Sequence, residues 1–103
     1  MSNHDFEPLV AQYPVIIAQM PSAFSAHEFI LRLAQQNQGL YAEALYAYKD
    51  SQVKGAPAPF MIVHGILARR LGDFQQLVRQ DGTIKSKDIF GRKDDHCSRW
   101  QRV

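Results

Sequence analysis

Between Ala26 and Asn37 the apolar side chains recur at helical spacing. Phe29, Ile30, Leu33, Ala34 and then Asn37 fall on one face, while Glu28, Arg32 and Gln35 fall opposite. The pattern predicts an amphipathic helix. Its start is marked by "FSAHEF", residues 24–29: Ser25 can accept a hydrogen bond from the amide three residues on, Glu28 can reach back to the cap, and Phe24 can pack on Phe29. "NQG" then interrupts the stripe. "LYAEALYAYK" resumes it with Leu40, Tyr41, Ala44, Leu45 and Tyr48 on one side, which predicts a second helix turned relative to the first.

Residues 51–59, "SQVKGAPAP", read as a linker because Gly55 and two prolines remove helix propensity, and Pro59 suits the first turn of a following helix. That helix is predicted over "PFMIVHGILARRLG", where Phe60, Val63, His64, Leu67 and Leu71 face one way and Ile62 with Ile66 make a second apolar strip. Gly72 can end it, and Asp73 with Gln76 can cap a short helix over "FQQLVRQ", stopped by Asp81 and Gly82. In the N-terminal "FEPLVAQYPVIIAQM", Pro14 divides a short helix from a helix or extended piece. The last residues read as two extended segments, the first rich in β-branched side chains ("TIKSKDI"), joined by the turn-like "GRKDD". The alternative is a capped single turn at Ser86 and Asp88 followed by a final helix bearing Cys97 and Trp100.

The expected fold is mainly α, a small helical domain closed by a C-terminal two-stranded β-hairpin. A chain of 103 residues supports one core. Within it the segments are an N-terminal arm (1–22), a helical pair (23–50), a linker (51–59), a helix-turn-helix candidate (60–81) and a basic hairpin or tail (82–103). Hydrophobic residues make up 46% and charged residues 21% of the chain, a balance that excludes a disordered protein. The longest apolar run is too short for a membrane span and lacks the basic start of a signal peptide. Together with a single cysteine, this makes the cytoplasm the expected compartment and a membrane no partner.

Charge changes this picture more than composition does. Residues 1–68 carry three bases against five acids, whereas residues 69–103 carry nine bases against five acids. A basic C-terminal third on a mildly acidic body suits a polyanion. Other chemistry has little support. His4, His27, His64, His96 and Cys97 show none of the paired spacings of a structural zinc site, and no phosphate-binding loop, dinucleotide or hydrolase motif occurs. Neither a metal nor a cofactor is expected, and no catalytic residue is assigned. Of the tyrosines in the second helix, Tyr41 and Tyr48 share its apolar stripe, while Tyr46 lies off it and suits an exposed contact.

Two helices joined by a tight glycine turn in "LARRLGDFQQLVRQ", then "DG", then two short extended segments around "GRKDD", follow one familiar element order. In that order alone, residues 26–103 resemble a winged helix-turn-helix. The resemblance implies a non-enzymatic nucleic-acid-binding accessory or regulatory protein. In such a module Gln75, Gln76, Arg79 and Gln80 would face the major groove of duplex DNA, and Lys85, Lys87, Arg92 and Lys93 would lie along the wing against phosphates. The competing expectation is a protein-binding adaptor, with another protein or a second copy of the chain as partner.

Overall fold

The structure, a computed structural model, describes residues 4–87, 89 and 94–103. Two short helices come first, α1 (Glu7–Val10) and α2 (Tyr13–Ile17), each with a proline in its first turn, where a missing amide N–H costs nothing. Strand β1 (Ala23–Ser25) leads directly into α3 (Ala26–Gln36). At this junction the Glu28 amide donates to Ser25 Oγ (3.1 Å), and the Ser25 amide donates to Glu28 Oε1 (3.0 Å). The capping box therefore forms as the sequence predicts, and Phe29, Ile30, Leu33 and Ala34 are buried.

Asn37 ends α3 and starts α4 (Gln38–Ala47) with a backbone outside the helical region, φ −138° and ψ 52°. Its side-chain amide donates to the Leu33 carbonyl at 3.1 Å. One residue thus turns the chain between two helices. The linker region holds a minimal hairpin, β2 (Gln52–Val53) with β3 (Ala56–Pro57), turned through Lys54 and Gly55, both at positive φ. Helix α5 (Pro59–Arg70) starts on its proline, as expected. The core gathers residues from Phe6 to Trp100. At its centre Tyr13 is fully buried, sits edge-on to Phe29 and donates to the Leu67 carbonyl at 2.7 Å, which ties α2 to α3 and α5. Burial pushes its phenol pKa up.

The expectation of a mainly α domain with a two-stranded hairpin is overturned. The chain is a mixed α/β fold whose sheet has three antiparallel strands in the order β1-β5-β4, with β4 spanning Val78–Lys87 and β5 spanning Asp94–Arg102. The third strand is β1. Three residues are too few to show alternation, but Phe24 lies directly opposite Trp100, and both rings are buried. Such a cross-strand aromatic pair stabilises a short strand. The indole N–H of Trp100 has no hydrogen-bond partner among the described residues.

The second helix of the helix-turn-helix candidate also fails to form. Leu71–Asp73 is a single 3₁₀ turn, residues 75–77 are turn, and Val78 opens β4. Two causes are visible. Asp73 Oδ2 accepts from Arg70 Nε at 2.7 Å, which commits the carboxylate to the preceding turn. Val78 is completely buried, and the β-branched Val78, Thr83 and Ile84 suit a pleated strand better than a helix. "DG" at residues 81 and 82 lies inside the strand rather than ending a helix. The alternative final helix around Cys97 and Trp100 is excluded by β5, while Asp88 of the alternative cap lies outside the described residues. Among the described residues no helix is long and apolar enough to cross a membrane.

Candidate functional site

Six of the eight residues assigned from sequence to a nucleic-acid contact fall within the described chain, and all six are exposed: Gln75, Gln76, Arg79, Gln80, Lys85 and Lys87. Gln75 and Gln76 occupy the turn before β4 instead of a recognition helix, and the other four are on β4 itself. Arg92 and Lys93 lie outside the described residues. Gln80, expected beside them, donates to Ser98 Oγ at 3.2 Å across the ribbon.

Register decides which cations meet. Arg79 pairs with Gln101, Lys85 with His96 and Lys87 with Asp94, and between Gln80 and Thr83 the ladder shifts by one residue. Paired residues share a face, and along β5 the faces alternate. Gln101 therefore looks one way, while His96 looks the other. In an unbroken strand Arg79, Lys85 and Lys87 would line up. The extra residue at Asp81–Gly82 puts Arg79 on one face and both lysines on the opposite one. Gly82, at φ +75°, supplies the backbone conformation this bulge needs.

The Arg79 face carries two guanidinium groups against one described carboxylate, so it is only partly neutralised. Arg79 Nη2 donates to Gln101 Oε1 at 3.1 Å, Gln101 Nε2 donates to Asp81 Oδ2 at 2.8 Å, and Arg99 forms an ion pair with the same Asp81 oxygen. Exposed pairs of this kind add only about 0–1 kcal/mol of stability, so their main effect is on where charge remains. Three further cations are also occupied. Arg102 donates to the Met20 carbonyl at 3.0 Å and Arg32 to the Gln19 carbonyl at 2.8 Å. Arg70 bridges Glu7 and Asp73, and hydrogen bonds to these two carboxylates hold its guanidinium pKa above the usual value.

Lys85 and Lys87 are exposed on the distal ribbon. Near the sheet, the Trp100 and Val78 face covers the core. Farther out it is the other face that turns inward: the Ser86 hydroxyl lies 3.5 Å from that of Ser25, and Cys97 packs against the core. Lys85, Lys87 and His96 are accordingly exposed, whereas Ser86 and Cys97 are partly buried. Sequence reasoning missed His96, Asp81 and Gln101 as determinants of this surface. The signal available for them was "DG" set inside an alternating stretch.

A second surface lies on α4. Tyr46 is 69% exposed, as its position off the apolar stripe predicts, and it lines a shallow depression with His4, Ala42, Glu43 and Ala47. On the buried side of the same helix, Tyr41 Oη and His64 Nε2 are 2.5 Å apart. That places both residues in the core and not in a ligand site. Among the described residues, no three metal-ligating side chains come together. Comparison with family models, with curated proteins and with solved structures gave no match for this chain.

Proposed function

We propose that the chain is a non-enzymatic nucleic-acid-binding protein that meets duplex DNA through the distal part of the β4–β5 ribbon. One observation carries the reading. Lys85 and Lys87 share an outward face of a two-stranded ribbon with His96, while the arginines of the opposite face are engaged with Asp81 and its neighbours. A two-stranded β-ribbon is narrow enough to enter the major groove. Lysine ammonium groups act on phosphates as point charges without the planar fork that reads a base edge. The contact is therefore to the backbone, with little dependence on sequence.

Anisotropy of a labelled duplex titrated with the protein at rising salt tests the reading. The logarithm of affinity is expected to fall linearly with the logarithm of salt, by about 0.9 for each phosphate contacted. Changing Lys85→Ala and Lys87→Ala together should flatten that slope and weaken binding to all duplexes alike. Absence of wild-type binding at low salt, or binding indifferent to the two substitutions, overturns the proposal. Protein binding is favoured by a different observation, the exposed ring of Tyr46 beside Glu43 on α4. On that reading a partner stays bound in high salt and is lost on Tyr46→Ala.

A further inference from the structure

Strand β4 pairs with β5 on one side only, and in the order β1-β5-β4 its other side is an edge of the sheet. At ten residues it is the longest strand, and everything in it after Val78 is exposed or half-exposed. Alternate amides and carbonyls along such an edge point away from the sheet and can pair with an added strand. We propose that the edge of β4 from Thr83 to Lys87 takes up an extended acidic segment of another protein, paired strand to strand, with acids at every second position set against Lys85 and Lys87.

Regularity, spacing and charge together select this occupant. Beyond the bulge, Thr83, Ile84, Lys85, Ser86 and Lys87 meet consecutive residues of β5 from Ser98 to Asp94 without a shift, a stretch within the usual length of a paired strand. Side chains alternate along it, so the exposed Lys85 and Lys87 stand on one face two residues apart. A strand laid alongside puts its own alternate residues on that same face. Acids at every second position then meet both ammonium groups, whereas adjacent acids would send one to the opposite face. The same lysines disfavour a second copy of the chain. A second β4 laid on this stretch adds its own Lys85 and Lys87, and like charges opposed across two strands destabilise the pair. Main-chain hydrogen bonds supply the affinity, and the alternating acids supply the choice of partner. An acidic strand and a duplex draw on the same ammonium groups, but only the strand uses the backbone of β4.

The experiment follows by anisotropy the binding of the full chain to a dye-labelled peptide that alternates glutamate with valine, beside the same peptide N-methylated at every amide. The methylated peptide keeps its carboxylates but has no N–H to donate. It should bind about tenfold more weakly or worse, the worth of two lost hydrogen bonds. Lys85→Ala and Lys87→Ala should each weaken the unmodified peptide about two- to fivefold. On binding, amide exchange should slow at alternate residues between Thr83 and Lys87. Equal affinity for the two peptides overturns the inference, as does a doubly substituted protein that binds the unmodified peptide like wild type, or a wild type that binds neither. Slowing of the same amides without peptide, growing with protein concentration, assigns the edge to a second copy and overturns it as well. All of these are read with no DNA present, so a failed duplex titration leaves the strand pairing standing, and a failed peptide titration leaves the duplex reading standing.

Discussion

Helix α3 and strand β4 are of similar length, eleven and ten residues, yet they are specified in opposite ways. Every determinant of α3 lies within or next to it: the Ser25 cap, the returning Glu28, the stripe from Phe29 to Ala34 and the stop at Asn37. In β4 only Val78 is buried, and the nine residues that follow it are exposed or half-exposed. No apolar alternation marks it as a strand. What holds β4 is its pairing with β5, which follows it in the chain and is itself anchored by Trp100 opposite Phe24. A helix can be encoded locally, whereas an exposed strand is encoded by its partner.

Three substitutions sharpen this contrast. The largest effect is expected at Phe29, fully buried on α3 and in ring contact with Tyr13. Phe29→Ala should cost about 3–5 kcal/mol, measured by chemical denaturation, and no single replacement among the exposed residues of β4 should approach it. An intermediate effect is expected at the bulge. Gly82 has open space where a Cβ would stand, so the cost of Gly82→Ala comes from its positive φ alone, about 1–2 kcal/mol. Amide exchange should quicken along β4 before it does in α3. Equal acceleration in both would mean that the strand and the helix open as one unit. The smallest effect is expected at the cap. Ser25→Ala should lower stability by about 1 kcal/mol, and an unchanged denaturation midpoint would show that the capping box contributes nothing.

Legibility in the sequence follows the same division. "FSAHEF" and the stripe of Phe29, Ile30 and Leu33 yielded α3 almost to the residue, and Pro59 marked the start of α5. Asp73 misled, because a residue of capping type is read as a cap unless its competing partner is known. Here that partner is Arg70, three residues before it. β1 was hidden because three residues carry no period and the strand runs straight into a helix cap. At the candidate site the basic residues were legible as a group but their sides were not. Their division depends on one extra residue in a ladder whose other half lies fifteen to twenty positions away. Arg79 and Lys85 look equivalent in sequence. Register alone separates them.

The strand order β1-β5-β4 carries a consequence for the path of folding. The middle strand of the sheet is the last of the three along the chain, so β1 and β4 have no neighbour in common until β5 arrives. β4 can meet it across a short separation in sequence, but the pairing of Ala23 with Gln101 must close about three-quarters of the chain. Loop closure over that distance is costly before any contact offsets it. The helices, with their local contacts, form the earlier surface. The hairpin of β4 and β5 can assemble by itself, and docking of Phe24 against Trp100 is the late event that joins them. Folding and unfolding rates measured for variants at Phe24 should accordingly show their loss in faster unfolding far more than in slower folding.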